Sequence, residues 1–132
     1  MNLTKMKTSP ALENGGVWVE LDSKTSIKVR RLGCKAFRDS LKEKSEKYKV
    51  ALRLQNLDDD VAERIYAEAL AETILIDWRG MELGDSVIEY SAEQAYEILS
   101  DEENKDFKEL VVELAREAET FREQATAAIE KN

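Results

Sequence analysis

The chain has 132 residues, 42% of them hydrophobic and 36% charged, with a formal net charge of −8. That is enough for one domain with its own core, too apolar for a disordered chain, and without the long apolar run of a membrane span. There is no histidine and only one cysteine, Cys34, which excludes histidine-based catalysis, the commonest metal ligand and an internal disulfide.

Charge is divided along the chain. Residues 28–53 carry ten positive and three negative side chains, whereas residues 54–132 carry seven positive and twenty-two negative. Such a split attracts the basic part of one copy to the acidic part of another.

Residues 1–16 are polar and end in Asn14-Gly15-Gly16, the composition of a flexible N-terminal arm. The first ten residues lack the apolar segment of a signal peptide, so a cytoplasmic protein is expected. Residues 17–21 and 26–30 alternate in polarity around Asp22-Ser23-Lys24-Thr25, which predicts a β-hairpin lying on helices.

Gly33 breaks the chain before a first helix over 34–54. Phe37, Leu41, Tyr48 and Leu52 share its apolar face. Lys35, Arg38, Lys42, Lys49 and Arg53 fall within about 60° of one another on a neighbouring face. This stripe is either a solvated surface with a few ion pairs or a docking site for an acidic surface, such as that of a second copy.

Asp58-Asp59-Asp60 then caps a central helix over 61–78. Its apolar residues cover roughly 200° of the circumference, so it must be covered from more than one side. Gly80 can take the left-handed conformation that ends a helix, with Trp78 and Met81 on either side of the break. Gly84-Asp85 predicts a turn and residues 87–90 an extended segment. Ser91 with Gln94 caps a short helix over 92–99. Ser100 with Glu103 opens a last helix over 101–130, in which Phe107, Leu110, Val111, Leu114, Ala118, Phe121, Ala125, Ala128 and Ile129 share an arc of about 100°. Unbroken, it would be about 45 Å long at 1.5 Å per residue. A domain of this size has a diameter near about 36 Å, so the final turns would overhang the core or fray.

The expected fold is therefore mainly α within an α+β class: a hairpin packed on about four helices, with a short extended segment between the second and third. Residues 17–132 form one domain with a long C-terminal helix. Catalytic patterns are missing: there is no phosphate loop, no nucleophile elbow and no paired cysteines. Cys34 reads as a small helix-start residue rather than a nucleophile. The three adjacent aspartates lack the spaced ligands and glycine of a calcium loop, so no metal and no cofactor are expected. The acidic remainder of the chain, and the lack of aromatic residues interleaved with the basic stripe, argue against nucleic acid as a partner.

The order of parts resembles a known family. A hairpin over 17–32 is followed by a basic helix and by Ile74-Leu75-Ile76-Asp77-Trp78-Arg79-Gly80-Met81. Gly84, the stretch Val87-Ile88-Glu89-Tyr90-Ser91, an acidic helix over 93–99 and a last helix carrying Phe121 come next. Over residues 17–125 this resembles the tail assembly chaperones of long-tailed bacteriophages, the lambda-like and HK97-like group. The resemblance implies a non-enzymatic protein of the infected host cytoplasm, absent from the mature virion. It implies that many copies coat the tape measure protein, keep it soluble, and leave as tail tube subunits assemble. A longer, frameshifted form would recruit the major tail (tube) protein. The terminal Glu130-Lys131-Asn132 fits such slippage if its codons form an adenine run.

Two expectations accompany that reading. The charge split favours head-to-tail oligomers, which give rings or filaments. Partner binding needs apolar surface, with Trp78, Met81, Phe121, Ala125 and Ile129 as candidates, although large aromatics at such places also serve as plain core. The alternative functions are a protein–protein adaptor that does not polymerise and, further off, a nucleic-acid-binding protein.

Overall fold

The computed structural model describes residues 1–123. Its elements in order are α1 (Pro10–Gly15), β1 (Val17–Glu20), β2 (Ser26–Val29), α2 (Lys35–Ser45), α3 (Lys49–Arg53), α4 (Asp59–Ala69), β3 (Leu75–Arg79), β4 (Glu82–Leu83), β5 (Ser86–Val87), α5 (Ala92–Ser100) and α6 (Lys105–Arg116). The fold is mainly helical α+β with an N-terminal hairpin, as the sequence predicts.

The hairpin forms where the alternation places it, with Val17 opposite Val29 and Val19 opposite Ile27. Its turn is closed by the Asp22 carboxylate, which accepts from the backbone N–H groups of Lys24 and Thr25, each at 2.8 Å. Those bonds hold the Asp22 carboxyl below its ordinary range. A third strand then joins: β3 pairs antiparallel with β2, giving the order β1-β2-β3. Val17, Ile27, Val29, Leu75 and Trp78 face inward against Phe37, Leu70, Ile74, Leu99, Val111 and Phe121.

The predicted central helix is therefore corrected over its last four residues. It runs as α4, continues as a π-helical turn over Leu70–Ile74, and then becomes β3. Two causes are visible. The Thr73 hydroxyl donates to the Ala69 carbonyl at 2.7 Å, competing with the helix's own ladder. Beyond it, the open edge of β2 offers backbone partners, which the sequence of one strand cannot announce. The expectation that this segment is covered on several sides holds: Ala69, Leu70, Ala71, Ile74 and Leu75 are all buried.

The predicted first helix is also broken. It stops at Ser45, passes through a 3-10 turn at Glu46–Tyr48, and resumes as the five-residue α3. Lys44, held between Glu68 at 3.5 Å and Glu72 at 2.8 Å, ties α2 to α4 just before that break. The Glu72 hydrogen bond raises the Lys44 ammonium above its ordinary pKa.

The long last helix ends early. α6 stops at Arg116, Glu117 is extended (ψ 125°), and a 3-10 turn over Ala118–Phe121 rolls Phe121 into the core. Helix ends leave carbonyls without partners. Here the chain after the hairpin supplies them, as Leu32 N–H donates to the Ala115 carbonyl at 2.8 Å and the Arg31 guanidinium to that of Arg116 at 3.3 Å. Neither glycine nor proline marks this stop, so periodicity ran past it.

The first residues also differ from the flexible arm expected. Ser9 caps α1 and Pro10 occupies its first turn. The Ser9 N–H donates to the Phe121 carbonyl at 2.9 Å, Arg31 N–H to Glu13 O at 3.0 Å, and the Arg30 Nε to Asn14 O at 2.7 Å. The Ser-Pro pair is a helix-start signal that the low apolar content of the segment obscured.

Candidate interaction surface

The residues singled out for partner binding separate into three groups. Trp78 is 4% exposed. Its Nε1–H donates to the Ile88 carbonyl at 2.9 Å, and its ring meets Tyr90 edge-on at 4.9 Å between centroids. Phe121 is fully buried beneath the Arg31 guanidinium, 5.8 Å from the ring centroid. Both are corrected to core: each ring fills space between the sheet and the helices and has no face left for a partner. Met81 is half-buried against the same core. Ala125 and Ile129 lie outside the described residues.

The basic stripe is exposed, but it does not lie on one helix. Lys35, Arg38 and Lys42 are on α2, and Lys49 and Arg53 are on α3, beyond the 3-10 turn. Lys35 donates to Asp39 at 2.7 Å, which holds that carboxyl below its ordinary range, and Lys49 pairs with Glu46 at 3.1 Å. These are exposed pairs that contribute little to stability.

Apolar surface lies elsewhere. On and just after α3, Val50 and Leu54 are each 64% exposed and Leu52 is 45% exposed. On the β4–β5 hairpin, Leu83 is 62% and Val87 66% exposed. Apart from residues 1–6, Leu110 is the only other exposed large apolar side chain among the described residues. A single helix over 34–54 would put Leu52 on the apolar face with Phe37, but Leu52 is exposed. The break at Glu46–Tyr48 re-aims the helix, so Tyr48 stays half-buried with its hydroxyl accepting from Arg64 at 2.7 Å, while the apolar residues after it turn outward. One signal was present: Val50, Leu52 and Leu54 recur every second residue, which no single helix face can bury.

The β4–β5 hairpin is built by its turn. Gly84 has φ +62° in the first central position, the backbone that a two-residue hairpin turn requires there. It projects from Gly80, whose φ is +70° and whose Cα lies so near the β1–β2 turn that a Cβ would stand 2.0 Å from the Lys24 carbonyl oxygen. On the outer face of the three-stranded sheet, Trp18 is half-buried, with the Arg79 guanidinium stacked 3.9 Å from the ring centroid.

Among the described residues no cluster of three His, Cys, Asp or Glu side chains is placed to hold a metal ion. No helix there is long and apolar enough to cross a membrane. Among the described residues the exposed large apolar side chains beyond residue 6 are thus concentrated on and just after α3 and on the β4–β5 hairpin, whose register sets Leu83 and Val87 on opposite faces.

A family model described as a YdaY prophage protein matches residues 32–132, beginning after the β1–β2 hairpin. No curated protein and no solved structure matches the chain.

Proposed function

The chain belongs to the YdaY prophage protein family, and from that premise we propose that it is a tail assembly chaperone: a non-enzymatic phage protein that coats the tape measure protein and keeps it soluble until tube subunits assemble around it. The observation that carries this reading is the exposed apolar side chains on and just after α3 and on the β4–β5 hairpin, which no other described residue buries. Exposed apolar surface of this kind serves contact with other chains. The phage origin and the order of elements from the hairpin to α6 support the same reading. On this reading the protein works in the cytoplasm of the infected host and is absent from the finished particle. A longer frameshifted form would bring in the major tail protein.

The test is co-expression with the long helical tape measure protein of the same prophage. The expected result is a shift of that client from the pellet to the soluble fraction and its co-purification with this chain. A client equally insoluble with and without the chain would overturn the reading. If the chain instead captures one partner at a fixed one-to-one ratio and never coats it, the adaptor alternative replaces it.

A further inference from the structure

The three-stranded sheet has two unlike edges. Backbone groups alternate in direction along a strand. Leu21 N–H donates to the Thr25 carbonyl across the first hairpin at 2.8 Å. By that alternation Val17 and Val19 turn their N–H and C=O groups toward β2, and Trp18 and Glu20 turn theirs outward. The 3-10 turn over Ala118–Phe121 lies beside β1 but makes no backbone hydrogen bond to it. On the β3 edge, side chains of the same chain already fill such positions. Trp78, opposite Ile27, donates its N–H to the Asp77 carboxylate at 2.8 Å, and the Leu75 carbonyl accepts from the Tyr90 hydroxyl at 2.8 Å. Among the described residues β1 is therefore the open edge, and an open edge is a template for a further strand.

Charge on the outer face of the sheet indicates what that strand is. Arg79 reaches across β2, where its registered neighbour is the small Ser26, and stacks 3.9 Å from the Trp18 ring centroid. The Lys28 Nζ lies 6.0 Å from the same centroid. Two cations are thus gathered over a residue of the edge strand. Glu20, two positions along β1, is exposed on the same face. Neither cation nor Glu20 takes part in an ion pair among the described residues. The edge therefore carries a cationic site and a carboxylate side by side, which is self-complementary when the strand is reversed.

We propose that β1 of one copy pairs antiparallel with β1 of a second copy, about a twofold axis at Val19, so that two sheets join into one. Trp18 of each copy then exchanges both backbone hydrogen bonds with Glu20 of the other. Residues directly opposite share a face. Each Glu20 carboxylate therefore lies across from the other copy's Trp18, beside the Arg79 and Lys28 gathered there. On the inner face Val19, half-buried in the single chain, meets its own counterpart. Charge selects this register. Centring the pair on Glu20 would set two carboxylates opposite each other, and centring it on Trp18 would bring the two cationic sites together. The contact is isologous and closes at two copies.

Sedimentation velocity on the full chain, across a wide range of protein concentration, tests the pairing. Wild type should show a monomer–dimer equilibrium, weaker in high salt because the Glu20 ion pairs are screened. Glu20→Pro should raise the dimer dissociation constant at least about tenfold. Its circular dichroism spectrum should not change, since that N–H has no partner in the single chain and edge strands accept proline at such positions. Glu20→Lys should also weaken the dimer, and E20K/R79E should recover it. Val19→Cys in a Cys34→Ser background should close an interchain disulfide on mild oxidation, since the two copies of residue 19 face each other at the closest approach of the strands. A wild type that is monomeric throughout, a Glu20→Pro variant that dimerises as wild type does, or a Val19→Cys variant that stays uncrosslinked overturns the proposal. The pairing does not rest on the chaperone reading. No client enters the measurement, so its failure leaves that reading untouched.

Discussion

At the scale of single residues, Gly80 and Tyr90 carry the sharpest consequences. A side chain at Gly80 meets two obstacles at once, a left-handed backbone and the Lys24 carbonyl in the way of its Cβ. Gly80→Ala should therefore cost about 2–3 kcal/mol or more, read as a lowered urea midpoint. Tyr90 donates its hydroxyl proton to the Leu75 carbonyl, and Tyr90→Phe should cost about 1 kcal/mol in the same experiment. Burial, aided by Asp77, raises the Tyr90 pKa above 10.0, and the Glu72 hydrogen bond raises that of Lys44 above 10.5. Groups raised on folding stabilise fully below their unfolded pKa and lose that contribution as pH climbs through the folded value. The melting temperature should thus fall above about pH 10, and less steeply in Tyr90→Phe. A flat profile there would show that neither group titrates differently on unfolding.

At the scale of elements, α3 and α4 are neighbours of unlike stability: no residue of α3 is buried, whereas α4 buries Ile65, Ala67 and Ala69. Local opening follows such differences. Amide hydrogen exchange should be fast throughout α3 and slow through α4 and the π-helical turn, as read by mass spectrometry. Elements were legible in the sequence where local pattern decides them. The 17–21 and 26–30 alternation gave the first hairpin, Gly84-Asp85 gave the second turn, and the Ser91 cap gave α5. The rest depended on partners distant in the chain. β3 is a strand because β2 has an edge to offer, and α6 ends where Leu32 and Arg31 reach its carbonyls. The candidate surface was only half legible. The charges of the basic stripe are visible in the sequence, but a single helix over 34–54 puts Leu52 on the face of Phe37, and the 3-10 turn at Glu46–Tyr48 that turns it outward is not announced by any local pattern.

At the scale of the whole molecule, Arg31 binds both ends of the described chain together. Its guanidinium pairs with Glu13 at 2.9 Å, caps α6 at Arg116 and covers Phe121. Because it is partly exposed, the pair counts for less than its geometry suggests. Arg31→Ala should still cost about 1–2 kcal/mol, since it removes the partners of the Glu13 carboxylate and the Arg116 carbonyl together, although Leu32 still bonds Ala115. It should also free residues 1–16 for limited proteolysis, without disturbing the sheet. The turn at residues 22–25 reaches equally far. Thr25 donates to the Gly80 carbonyl at 3.1 Å, and the Lys24 carbonyl lies against the Gly80 backbone. The aim of Leu83 and Val87 is consequently governed by a loop more than fifty positions upstream. An insertion there would swing the acidic hairpin like a misaligned latch, while every side chain on the hairpin itself stayed native.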